Sequence, residues 1–156
     1  MDAGFVNAYL AAVQNVFKTM VQLDIVMGKP VLKTDRHTSG EVTGVIGFAG
    51  DKKGTFSLAF SKKGAIFIYK KIVDEDVPGV TSDVVDAIGE LTNIISGQTR
   101  VHIEKLGYKL SAALPTVVVG QDVEINFITK LPVISLPFTF QAGSDAEHLF
   151  LDFSFE

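Results

Sequence analysis

Four residues along one stretch of this chain carry most of the chemistry it can offer: Asp86, Glu90, Asn93 and Gly97. They recur at steps of three and four, so on an α-helix they share one face. A carboxylate on such a face can pair with a cation on another molecule. A neutral carboxamide both donates and accepts hydrogen bonds. These are poor residue types for a purely structural helix. Asparagine competes with the backbone in mid-helix, and Gly89 and Gly97 each cost about 1 kcal/mol relative to alanine. Glycine next to a projecting Glu, and one turn beyond a projecting Asn, leaves room for another surface to approach. A bare E-x-x-N is nevertheless common on solvated helix faces, so its meaning depends on its surroundings.

The helix that must hold these residues covers 82–106, SDVVDAIGELTNIISGQTRVHIEKL. It is about 37 Å long at 1.5 Å per residue. Ser82 is its expected cap, Asp83 and Asp86 suit the positive end of the dipole, and Gly107 ends it with Lys105 in the last turn. Val84, Ile88, Leu91, Ile95, His102 and Leu106 make a mostly apolar stripe nearly opposite the four residues above. On that stripe His102 is expected as a hydrogen-bonded core residue rather than a ligand.

A first amphipathic helix is expected over 2–23, with Phe5, Tyr9, Ala12, Val13, Val16, Phe17 and Met20 on one face and Asp2 at its start. Gly28-Lys29-Pro30 breaks that pattern ahead of a short strand at 31–33. Strands at 41–49 and 55–60, joined by the loop 50–54, form an antiparallel pair. The segment 62–73, KKGAIFIYKKIV, reads as a helix with Ile66, Tyr69, Ile72 and Val73 inward. Strands follow at 109–114 and 116–119 with Pro115 between them. Over 120–132 only Val123, Ile125 and Phe127 alternate. A hairpin comes last, patterned by Ile134, Leu136, Phe138 and Phe140, then by Leu149, Leu151, Phe153 and Phe155, with its turn at 143–146. Pro137 cannot donate a ladder hydrogen bond and marks an edge strand or a bulge. Strand pairs separated by helices predict an α+β fold, a largely antiparallel sheet covered by helices, in one domain of residues 1–156.

Composition narrows the function. A hydrophobic share of 47% and a mean hydropathy of +0.31 oppose disorder. A net charge of −4 without a Lys/Arg cluster opposes nucleic acid as a partner. No apolar run is long enough to span a membrane, and the acidic start MDAGFVNAYL lacks the layout of a signal peptide. Cysteine is absent, which suits a reducing compartment, and a cytoplasmic location is expected. Phosphate-loop, dinucleotide, nucleophile-elbow and H-E-x-x-H motifs are missing, and His37, His102 and His148 lack metal-ligand spacing. Strand alternation and helix faces account for the 12 phenylalanines without any cofactor.

Asp86-x-x-x-Glu90-x-x-Asn93, with Pro115 beyond the helix, resembles the signature of the CheC/CheX/FliY family of chemotaxis phosphatases. The surroundings GELTNIISG and LPTVVVG are similar too. A single copy of the signature, with a first helix NAYLAAVQNVFKTM, is most similar to the CheX type. Asn15 has Ala12 where a paired Glu would stand, a departure from the two-site pattern of CheC. The resemblance implies hydrolysis of the aspartyl phosphate of a CheY-like response regulator in chemotaxis signal termination. Glu90 and Asn93 are then the catalytic pair, Asn93 orienting the attacking water and Glu90 docking to a receiver lysine. Asp86, Glu90 and Gly97 would face the partner, with Asp86 capping, solvating or steering. The resemblance further implies no cofactor held by this chain, since the receiver supplies the Mg²⁺ and the phosphorylated Asp. It also implies a homodimer that pairs strands across chains at the C-terminal hairpin. Two other classes stay open. A non-catalytic receiver-binding or flagellar-switch module would have no use for a water-orienting amide, and a small-molecule sensor would need an enclosed pocket.

Overall fold

The computed structural model describes residues 3–130 and 132–156; Asp2, expected at the start of the first helix, lies outside them. Helix α1 (Ala3–Val16) runs into a π-helical turn (Phe17–Val21), followed by β1 (Val26–Met27), β2 (Val31–Lys33), β3 (Val42–Gly50) and β4 (Gly54–Phe60). Helices α2 (Lys62–Val73) and α3 (Ser82–Lys105) come next, then β5 (Leu110–Ala112), β6 (Thr116–Val119), β7 (Val133–Ala142) and β8 (Asp145–Phe155). Every strand pair is antiparallel. Across the sheet lie β1 and β2 end to end, then β7, β8, β4 and β3, with β5 and β6 end to end on the far side. This is the α+β architecture that the patterning predicts.

Alternation assigns the faces. Val42, Ile46, Phe48, Phe56, Leu58, Phe60, Leu136, Phe138, Leu149, Leu151 and Phe153 are buried beneath the helices. Tyr9 of α1 stacks on Phe153 at 4.5 Å between ring centroids and meets Phe56 edge-on at 5.3 Å. The opposite face has a smaller core of Ile125, Phe127 and Val133 against Val45 and Val118. There the alternation over 123–127 belongs to an irregular cover rather than a strand. It is tied to the segment before β3 by Thr38 N–H to Val123 O at 2.8 Å and Ile125 N–H to Arg36 O at 2.7 Å. Lys33 Nζ reaches beneath this cover to the buried Asp152 Oδ2 at 2.9 Å and to Ser39 Oγ at 2.8 Å.

Three expectations shift. The π-turn carries more residues per turn, so the buried face passes from Phe17 to Val21 and leaves Met20 half-exposed. In α2 the buried side is Gly64, Ala65, Ile68 and Tyr69, while Ile66 and Ile72 are half-buried and Val73 is exposed. Its start is fixed by Ser61 Oγ, which accepts Gly64 N–H at 2.9 Å. Third, the C-terminal hairpin is not a free edge. Strand β7 is covered by β1 and β2 of the same chain, which break opposite Pro137 (Val26↔Thr139, then Val31↔Ser135). The missing N–H of Pro137 faces that break, and its carbonyl still accepts Gly28 N–H at 2.8 Å. The free edges are β1/β2 on one side and β5/β6 on the other.

The Tyr9 hydroxyl is buried without a hydrogen-bond partner among the described residues, and burial pushes its phenol pKa up. Removing an unsatisfied buried hydroxyl restores about 1 kcal/mol. Tyr9→Phe should therefore raise the urea midpoint by that equivalent. The raised folded-state pKa makes the neutral phenol's contribution complete below about pH 10 and lost as pH rises further. The variant should lose less stability than the wild type in alkaline denaturation curves.

Candidate functional site

Helix α3 is capped one residue before the expected position. Thr81, in extended conformation, accepts Val84 N–H on its hydroxyl at 3.4 Å, and Ser82 is already helical. At the other end Gly107 N–H bonds Glu104 O at 2.9 Å and Tyr108 N–H bonds Ile103 O at 3.4 Å. That double reversal needs the left-handed φ of +100° that glycine supplies at Gly107.

The buried face of α3 differs from the apolar stripe in its second half. Val84, Ile88, Leu91 and Ile95 are buried as expected, but the line continues through Ser96, Thr99 and Ile103. His102 is half-exposed and Leu106 exposed, so His102 is not the core residue expected of it. Thr92 and Thr99 explain the difference. Each donates its hydroxyl to a carbonyl one turn back, Ile88 O at 2.7 Å and Ile95 O at 2.8 Å, and so enters the core with its polarity satisfied.

Thr92 sits where β3 has no side chain. A Cβ built on Gly44 would lie 2.0 Å from Thr92 Oγ1, so helix and strand meet at backbone distance. With Thr92 pointing straight at the sheet, a helix turning about 100° per residue sets the directions of its neighbours. Asn93 stands about 100° round from Thr92, Asp86 about 120°, Gly97 about 140° and Glu90 about 160°, all in one sector. Asp86, Glu90 and Asn93 are exposed and Gly97 half-exposed, as the spacing predicts. The four form a ridge rather than a cleft. Ahead of Asn93 the ridge is acidic, and Arg100 and Lys105 lie toward the other end.

Gly89 is not part of the ridge. It is buried, and a Cβ there would lie 3.3 Å from Val117 Cγ2 of β6, so this glycine seats α3 against the edge strand. Gly97 fits the expectation of cleared space, with nothing nearer to a built Cβ than Arg100 Nη2 at 4.0 Å. On the other flank of α3, Asn15 Nδ2 of α1 donates to Gln98 Oε1 at 2.9 Å. Ala12 is wholly buried. A glutamate there would place a carboxylate in the core, so α1 offers no second pair of this kind.

Pro115 lies in the junction between β5 and β6. Both strands pair with β3, but the register slips by one residue, from Phe48↔Ala112 to Val45↔Thr116. Residues 113–115 thus form a bulge, held by Ala113 N–H to Gly47 O at 3.0 Å. Leu114 in this bulge is 88% exposed. The apolar pattern predicts a strand to Leu114, but the register slip ends β5 at Ala112, and the adjoining Pro115 is the sequence sign of a bulge. Among the described residues no three His, Asp or Glu side chains converge as a metal site, and no helix is long and apolar enough to cross a membrane.

A family model described as chemotaxis phosphatase CheX matches residues 42–139. The CheY-P phosphatase CheX of Thermotoga maritima is 30% identical over 141 residues, covering 85% of this chain and 88% of that protein. The crystal structure of the chemotaxis protein CheX from Vibrio vulnificus superposes with a TM-score of 0.87 at 33% identity, covering 97% of this chain and 99% of that one. The structure of a CheX–CheY–BeF3–Mg complex from Borrelia burgdorferi superposes at 0.79 with 21% identity, covering 97% of each chain, a likeness of fold.

Three glycines rank the contacts of α3. Gly44→Ala must push Thr92 away and should cost about 3 kcal/mol. Gly97→Ala meets open space on a helix and should gain about 0.5–1 kcal/mol. Gly89→Ala, crowded by Val117, should gain less than Gly97→Ala. Denaturant midpoints at constant m-value measure all three.

Proposed function

The chain belongs to the CheX family of chemotaxis phosphatases, and we propose that it hydrolyses the aspartyl phosphate of a CheY-like receiver through Asn93 and Glu90. One observation carries this reading: the amide and the carboxylate stand exposed in the same sector of a helix whose rotation is locked by Thr92 on Gly44. The name of the Thermotoga relative, a CheY-P phosphatase, supports the choice of substrate.

An acyl phosphate is already reactive, so the catalyst has mainly to place one water in line with the phosphorus. Water oxygen bonds to phosphorus, the bond from phosphorus to the aspartyl oxygen breaks, and the water protons leave with inorganic phosphate. The Asn93 amide accepts a hydrogen bond from this water and donates one beside it, fixing its direction. Glu90, one turn earlier, pairs with the lysine of the receiver's active site and sets the register of docking. Asp86 extends the negative charge toward the helix start and steers the approach. The Mg²⁺ belongs to the receiver and screens the phosphoryl oxygens there; this chain contributes the amide and the carboxylate.

Asn93→Ala should lower kcat by about 10²-fold or more with little change in receiver affinity, because the bond to water matters as the reaction proceeds. Glu90→Ala should weaken affinity as well as turnover, and added salt should weaken the wild type more than this variant. Steady-state phosphate release, with affinity measured on a beryllofluoride-loaded receiver, separates the two. Full activity in Asn93→Ala overturns the water-orienting role, and unchanged affinity in Glu90→Ala overturns the docking role. Tight binding without any phosphate release by the wild type would make the chain a receiver-binding module.

The same reading places the protein in the cytoplasm as a symmetric homodimer. Its edge at β1/β2 exposes Val26, Val31 and Leu32 at 69%, 56% and 66% beside unpaired backbone, a surface that strand pairing across two copies would cover. Sedimentation should give twice the chain mass; a value near 16.8 kDa at every concentration overturns the dimer.

A further inference from the structure

We infer that Leu114 is an apolar docking contact for the phosphorylated receiver, set beside the catalytic ridge by the bulge between β5 and β6. The inference rests on the phosphatase reading and names a residue outside the helix that carries the motif.

Position is the first ground. Gly89 of α3 lies against Val117 of β6, and α3 ends where β5 begins, so helix and edge strand can be followed in one direction from this contact. Going from Gly89 toward the helix end, Asn93 lies about 6 Å and Gly97 about 12 Å along. Going from Val117 toward β5, Leu114 lies about 10 Å along. Leu114 is therefore level with the segment from Asn93 to Gly97. The flank is also the right one. Gly89 stands about 60° round from Thr92 on the side of β6, and the ridge begins about 40° further the same way. The other flank of α3 is held by α1 through Gln98 and Asn15.

Presentation is the second. Leu114 is 88% exposed, more than any other large apolar side chain among the described residues, and Val101 on α3 is 54% exposed. The bulge backbone is not loose. Ala113 N–H is tied to Gly47 O at 3.0 Å, Pro115 fixes its own φ, and the residue before a proline is confined to extended conformations. A leucine held out on restrained backbone gives up little entropy when it is covered.

The occupant follows from continuity with the ridge. Asn93 and Glu90 act only when a partner surface closes over them, and a surface seated on both also covers the level strip of edge strand. The partner chemistry is a receiver that presents a lysine and an acyl phosphate opposite Glu90 and Asn93, with an apolar patch on the side facing β5–β6. Glu90 would set charge register on one side, and Leu114 would bury apolar area on the other.

The test uses Leu114→Ser and Leu114→Met in the full chain with a CheY receiver. Leu114→Ser should raise KM about tenfold, leave kcat within about twofold, and weaken binding of the Mg²⁺- and beryllofluoride-loaded receiver by the same factor, while Leu114→Met restores the wild-type values. That split is the reverse of the one expected for Asn93→Ala. Unchanged KM and affinity in Leu114→Ser overturn the inference. So does a fall in sedimenting mass with affinity unchanged, which would assign Leu114 to contact between copies of this chain. The affinity arm does not depend on turnover, so a wild type that binds but releases no phosphate refutes the phosphatase reading alone. A wild type that does not bind the loaded receiver refutes both.

Discussion

Everything at the ridge depends on one contact, Thr92 of α3 on the bare backbone of Gly44 in β3. A helix lying on a sheet by large side chains can roll by tens of degrees as rotamers change. One touching at backbone distance has no such freedom, because a roll drives the threonine into the strand. Asn93 follows Thr92 directly, so the side of the helix on which it stands is set by its neighbour's packing. Precision is thereby supplied from beneath the helix, and the upper surface stays clear for a partner.

The shape of the site has a chemical corollary. A ridge cannot exclude water, and hydrogen bonds to a reacting water strengthen only when bulk solvent is removed. On the proposed reading the partner would provide the walls, and each protein would hold half of a site that exists only in the complex. Phosphate would then be lost only from a receiver that fits, and the chain needs no pocket of its own beside Asn93. The polar residues buried below the ridge, Thr92, Ser96 and Thr99, suit the same arrangement, since their small side chains let α3 sit low on the sheet and leave its upper half exposed.

Much of this was legible in the sequence where polarity and geometry agree. The alternation in β3, β4, β7 and β8, the bounds of α2, and the exposure of Asp86, Glu90 and Asn93 all follow from periods of two and 3.6. Legibility failed where a polar side chain hides its own polarity. Thr99 bonds its hydroxyl to Ile95 O, which puts it in the core and leaves His102 and Leu106 outside the line they seemed to continue. It failed again where a glycine's role depends on what lies opposite. Gly89 and Gly97 read alike in sequence, yet one meets Val117 and the other meets open space. The second face of the sheet was hardest, because Ile125 and Phe127 cover it along an irregular path fixed by long-range bonds to Arg36 and Thr55. Pro137 pointed to an edge or a bulge in its own strand, but β7 is interior and in unbroken register with β8, and the break lies in its neighbours β1 and β2.

The order of strands also bears on how the protein is made. Strand β8, the last along the chain, lies in the middle of the sheet between β7 and β4. During vectorial synthesis the β3–β4 pair and helices α1, α2 and α3 emerge first, yet the part of the sheet on which α1 rests is incomplete until β8 leaves the ribosome. Helix α1, whose Phe5 and Tyr9 lie against Phe155 and Phe153, must wait, partly uncovered, for a strand translated more than a hundred residues later. Such a chain commits to its fold in one late step, and holdase chaperones are the natural guardians of that interval.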